Sequence, residues 1–137
     1  MRFLIKDLSI AILLGILFSF FYKYLNNLNF CLFQKSFHFW LLIIINAIWE
    51  EVLFRGIIWD FFEEKIKGFL FGPISFLNIT IAFLFSLAHL IFGPVNLLRA
   101  LTFFPALVFG YFREKYNSLF FPILLHFFYN LCIFIWC

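Results

Sequence analysis

Apolar stretches of about 20 residues, the length a helix needs to cross a bilayer, follow one another along this chain and are parted only by short polar breaks. The pattern predicts helical spans at about 8–22, 37–62, 75–92, 95–112 and 119–136. The first lies behind a start that carries Arg2 and Lys6 and could pass for a secretory leader. However, Ser19-Phe20-Phe21-Tyr22 is too bulky for a cleavage site, and further apolar runs come after it, so it reads as an uncleaved span. Pro105 falls inside the fourth span, where a kink is expected. The breaks are an Asn-rich connection at 23–35, a turn around Lys65, Lys67, Gly68, Gly72 and Pro73, the pair Gly93-Pro94, and the polar run 113–118. Gly68 and Gly72 have GxxxG spacing, but Pro73 and the lysines favour a turn over a helix-dimer face.

Composition strengthens this picture: 66% of the 137 residues are hydrophobic and 12% charged, against about half and a quarter in soluble domains. The expected fold is therefore an all-α polytopic transmembrane bundle of about five spans, with 1–137 as a single integral membrane domain. The formal charge of +3 is spread over the breaks, which argues against a nucleic-acid partner and for a set orientation. With the amino terminus in the cytoplasm, Arg2, Lys6, Lys65, Lys67, Arg113 and Lys115 fall inside, and Lys23 and Lys35 outside. Arg99 reads as a snorkelling anchor, Asp60, Glu63 and Glu64 as solvated interfacial charge, and Tyr22, Trp40, Trp59 and Trp136 as an aromatic belt. Cys31, Cys132 and Cys137 show no C-x-x-C spacing, so neither a structural zinc site nor a disulfide framework is expected and they read as apolar filler.

Ionisable groups inside the apolar stretches are costly and normally face a bundle interior or a wet cavity. Glu50, Glu51, Arg55, His89 and His126, together with the amide of Asn130, stand out on this ground. Glu51 and Arg55 are four apart with the acid first, the order that favours a salt bridge. At 100° per residue Glu50 faces elsewhere, with Asn46 one turn before it. His126 and Asn130 are also four apart and share a face. Counting about 1.5 Å per residue from the cytoplasmic ends, Glu50 lies about 18 Å deep, His89 about 20 Å, Asn130 about 16 Å and His126 about 10 Å. A carboxylate, two imidazoles and an amide meeting around water have the parts for hydrolysis: a base, a group to orient the water, and donors for a developing oxyanion. Ser86, three residues before His89 and with no acid to orient the base, makes a weak nucleophile.

Glu50-Glu51-Val52-Leu53-Phe54-Arg55 resembles an EExxxR motif, Phe85-Ser86-Leu87-Ala88-His89 an FxxxH motif, and His126-Phe127-Phe128-Tyr129-Asn130 an HxxxN motif. In that order on separate spans they resemble the CPBP (Abi) family of glutamic-type intramembrane proteases, related to the type II CAAX prenyl endopeptidases. The resemblance covers about 40–137, as a peptidase core. It implies Glu50 as general base, His89 holding the attacking water, His126 and Asn130 as the oxyanion site, and Glu51 with Arg55 in support. It also implies a membrane-associated protein or peptide substrate, cut at a carboxyl-terminal tail or a leader, and no cofactor.

Blander readings stand beside this one. A single membrane histidine is about as often a structural hydrogen bond as a functional group, and the Glu51–Arg55 pair reads as structural first. A zinc-dependent version would use Glu50, His89 and His126 as three ligands with water in the fourth position, although no HExxH-type spacing is present. A non-catalytic bacteriocin-immunity-type membrane protein and a proton-coupled carrier are the alternatives from other classes. The expected location is a prokaryotic inner (plasma) membrane; an oligomeric state is not encoded in any recognisable pattern.

Overall fold

In the computed structural model, which describes residues 2–31, 35–93 and 97–136, the apolar stretches are helical and side-chain hydroxyls mark where several helices begin. The helices are α1 (Arg2–Asn26), α2 (Phe37–Glu51), a π-helical turn (Val52–Ile58), α3 (Trp59–Glu63), α4 (Phe76–Ile91), α5 (Leu97–Ala100), α6 (Phe103–Tyr116) and α7 (Phe120–Phe134). Ser36 Oγ accepts from the Phe39 N–H at 3.2 Å, Ser75 Oγ from the Asn78 N–H at 3.0 Å and Ser118 Oγ from the Phe120 N–H at 3.1 Å. Each supplies an acceptor to one of the first-turn amides that a helix cannot satisfy itself. Asn117, at φ 45° in the left-handed region, ends α6.

α1 is long and apolar enough to cross a membrane, and α4 and α7 are shorter apolar helices. Only 17% of the apolar window of α1 is buried, and Leu13, Leu17 and Phe20 are each 56% exposed. A row of large apolar side chains facing outward is what lipid, and not water, covers.

Packing divides the chain into two compact units, Met1–Ala47 with Leu124–Cys137, and Ile48–Ile123. In the first, α1 and α7 are joined by side chains that satisfy carbonyls: Tyr129 Oη donates to Ala11 O at 2.7 Å, and the Ser19 hydroxyl to Cys132 O. The Tyr129 ring lies where a side chain at Gly15 would be, since a Cβ there would come within 2.6 Å of Tyr129 Cε1. The connection after α1 is sewn to the chain end by a Phe30–Trp136 bridge and by the Cys31 N–H on Ile135 O at 2.8 Å. Cys31 is buried and disulfide-bonded while Cys132 is a free thiol. This corrects the reading of Cys31 as filler: apolar flanks masked a cysteine whose backbone is held by a distant strand-like pairing.

In the second unit α4 lies against α6, and Phe54, Trp59, Leu77, Ile81, Ala82, Phe85 and Ala106 form the buried core. The approach is closest at Gly110, where a Cβ would come within 1.9 Å of Asn78 Oδ1. From there Asn78 donates to Leu107 O at 3.0 Å. The Gly68–Pro73 break is an antiparallel hairpin of β1 (Phe69–Phe71) and β2 (Ile74–Ser75), with Gly68 and Gly72 at positive φ of 94° and 52°. The turn expected there is thus present.

The stretch 95–112 differs from expectation. It is two helices, α5 and α6, broken at Leu101 and Thr102, and no kink forms at Pro105. Pro105 sits in the first turn of α6, as Pro122 does in α7, where a missing N–H leaves no bond broken. Arg99 also turns inward, with Nη1 donating to His89 O at 3.2 Å. That carbonyl belongs to the last turn of α4, so Arg99 caps a helix end.

Candidate functional site

The two adjacent acids have opposite environments. Glu51 and Arg55 are both 0% exposed, with Arg55 Nη1 on Glu51 Oε1 at 3.0 Å. This is the ion pair that their spacing predicts, although a π-helical turn begins between them. Arg55 Nη2 donates to Ala106 O at 2.8 Å, and the guanidinium carbon lies 4.7 Å from the Phe85 ring and 5.5 Å from that of Phe109. Planar cations stack well on aromatic faces, so Arg55 is fixed by a carboxylate, a carbonyl and two rings. A charge held this way is sealed from solvent.

Glu50 is the less buried of the two acids, its side chain 34% exposed beside a His89 side chain that is 26% exposed, although the Oε2 atom itself is buried. The structure brings these two together from α2 and α4 with His89 Nε2 and Glu50 Oε2 3.8 Å apart. His89 Nδ1 is 3.0 Å from Phe85 O, one turn back on its own helix. A ring nitrogen that close to a carbonyl carries the hydrogen, which leaves Nε2 as the nitrogen turned to Glu50. A gap of 3.8 Å exceeds a direct hydrogen bond.

Phe85 is a neighbour of the site that its position in the chain does not single out by chemistry. Its ring is 4.7 Å from the Arg55 guanidinium and 4.5 Å from the His89 ring, so one side chain is packed against both scaffold and site. The signal in the sequence is its own place in the FxxxH spacing, where the histidine draws the attention. Ser86 is turned away from chemistry, with Oγ donating to Ala100 O at 2.9 Å.

His126 and Asn130 lie one turn apart on α7, in the part of the chain that packs with α1; His126 is buried and Asn130 half-buried. Among the described residues, no three His, Cys, Asp or Glu side chains gather as a metal-holding group. Residues 32–132 match the family model described as type II CAAX prenyl endopeptidase Rce1-like. No curated protein and no solved structure matches the chain.

Proposed function

The chain belongs to the type II CAAX prenyl endopeptidase Rce1-like family, and from that premise we propose that it is an intramembrane endopeptidase in which Glu50 activates the attacking water. The observation that carries this reading is the unequal fate of the two acids. Glu51 is sealed against Arg55, while Glu50, with its side chain 34% exposed, lies 3.8 Å from His89 Nε2.

In the proposed reaction a water held between Glu50 and His89 Nε2 gives a proton to Glu50 as its oxygen adds to the scissile carbonyl carbon. The negative charge that forms on the carbonyl oxygen is met by donors from His126 and Asn130. This assignment rests on the HxxxN motif and its order in the chain. The tetrahedral intermediate then collapses, the C–N bond breaks, and the proton on Glu50 passes to the departing amine. Glu50 ends as a carboxylate ready for the next water. His89 is a partner of the water, with its tautomer set by Phe85 O.

The substrate is a membrane-associated protein or peptide, cut at a carboxyl-terminal tail or a leader. The exposed apolar side chains of α1 support burial of the chain in a bilayer as a polytopic bundle. We place the amino terminus in the cytoplasm, which leaves Cys31, after the first span, on the outer face. The greater number of lysines and arginines that this places on the inner side supports the orientation.

The test is cleavage of a CAAX-bearing lipidated peptide by the purified protein in phospholipid vesicles, with and without a zinc chelator. Glu50→Gln is expected to lower kcat by at least about 10²-fold, in the range of general-base losses, with the chelator without effect. Full cleavage by Glu50→Gln would sink the reading. Loss on chelation that zinc restores would replace the metal-free route with one in which Glu50, His89 and His126 hold the ion.

A further inference from the structure

The helix that carries Glu50 and Glu51 changes register just beyond them, and the change leaves a carbonyl over. Through Val52–Ile58 the backbone is π-helical, and the Trp59 N–H is bonded to Phe54 O, five residues back, and to Gly56 O. In an α-helix the same N–H would go to Arg55 O, four residues back. The freed Arg55 carbonyl is taken by a side chain from α6: Arg113 Nε donates to it at 2.8 Å. The rest of that guanidinium is held too, by Asp60 Oδ1 on Nη2 at 3.0 Å and by Asn117 Oδ1 on Nη1. Arg113 is 12% exposed, and its guanidinium carbon lies 6.0 Å from the Trp59 ring. Asp60, 64% exposed, belongs to the first turn of α3, directly after the π-helical segment. The clamp therefore binds the middle of the π-helical segment through Arg55 O and the helix after it through Asp60.

We propose that Arg113, steadied by Asp60, is a positioning residue that holds the π-helical turn and thereby aims Glu50 at His89. If the turn relaxes to α-helix, the Trp59 N–H takes Arg55 O and one residue leaves the register. That rotates the end of α2 by about 100° relative to the start of α3, carrying Glu50 off the imidazole. A lysine cannot replace the clamp, because one ammonium does not reproduce the planar fork that meets a carbonyl, a carboxylate and an amide at once. The inference rests on the reading of Glu50 and His89 as the water-activating pair.

The experiment uses the full chain in phospholipid vesicles, with Arg113→Gln, Arg113→Lys, Asp60→Asn and Asp60→Glu beside Glu50→Gln. Two measurements are made: steady-state cleavage of the CAAX-bearing peptide, and hydrogen exchange at the backbone amides of residues 55–60. Arg113→Gln and Arg113→Lys are expected to lower kcat at least tenfold with KM within twofold, and to speed exchange at Trp59. Asp60→Asn is expected to lower kcat severalfold and Asp60→Glu to restore most of it. Asp60 is largely exposed, so its variants test the clamp even if the Arg113 variants fail to fold. Parental kcat in Asp60→Asn, or unchanged exchange at Trp59 in a folded Arg113→Gln protein, overturns the proposal. The exchange readout is independent of catalysis, so a Glu50→Gln protein that still cleaves would refute Glu50 as the water-activating base while the clamp is judged on exchange alone.

Discussion

Replacing Arg55 by methionine leaves Glu51 at 0% exposure with its ion-pair partner removed. Breaking a buried pair from one side costs about 3–5 kcal/mol, because the remaining charge cannot reach water. Ala106 O also loses its donor, worth about 1–3 kcal/mol if nothing replaces it. The stack on Phe85 and Phe109 is lost as well, at about 0.5–2 kcal/mol. These losses share one side chain and do not add in full, so about 4–6 kcal/mol is expected, or roughly three to four powers of ten in the unfolding constant. Glu51→Leu combined with Arg55→Met removes both charges, and a well-packed apolar replacement of a buried pair is often close to neutral. The double variant should therefore be more stable than Arg55→Met alone, with a coupling of at least about 2 kcal/mol. Reversible unfolding in mixed micelles, followed by tryptophan fluorescence of the buried Trp59, measures all four corners of the cycle. An Arg55→Met protein within about 1 kcal/mol of the parent, or single losses that simply sum in the double variant, would refute the reasoning.

Gly110→Ala puts a Cβ 1.9 Å from Asn78 Oδ1, so Asn78 must give up Leu107 O or the helices must part; a loss of about 1–3 kcal/mol is expected, and adding Asn78→Ala should return part of it in the same unfolding assay. Ser86→Ala removes a hydroxyl spent on Ala100 O and should cost about 1 kcal/mol of stability while cleavage stays within twofold of the parent; a collapse of kcat would revive a serine nucleophile. Burial holds the Glu114 carboxyl above the usual carboxylate range, with the charge of Glu63 adding to the shift and a hydrogen bond from Ser75 opposing it. A carboxyl whose pKa is higher folded than unfolded favours folding at low pH, and that contribution is lost as pH rises from about 4.3, the unfolded value, through the raised one. Stability should fall across that window, and Glu114→Gln should flatten the fall; an unaltered pH profile in the variant would count against the burial of Glu114.

Much of this protein could be read from residues close together in the chain. The proportion of apolar residues and their run lengths pointed to a bilayer, and the length and composition of α1 agree with it. Glu51 and Arg55 had to meet, since positions four apart on a helix are neighbours. The breaks at Gly68, Gly72 and Asn117 came from residues that tolerate positive φ. The three motifs in their order resembled, over about 40–137, the family whose model matches residues 32–132.

What local pattern could not reach was set by contacts between distant segments. A proline in an apolar run looks like a kink until the helix start at Phe103 places Pro105 in the first turn, where no bond is lost. Arg99 resembled a lipid anchor and instead closes the end of α4 on His89 O. The 3.8 Å approach of Glu50 to His89 and the bond from Arg113 to Arg55 O join residues far apart in the chain. A side chain's nearest neighbours in sequence act over about one helical turn, so sequence pattern states which groups are costly to bury. Only the packing of α4 beside the end of α2 and the π-helical turn decides that the imidazole of His89 comes to Glu50.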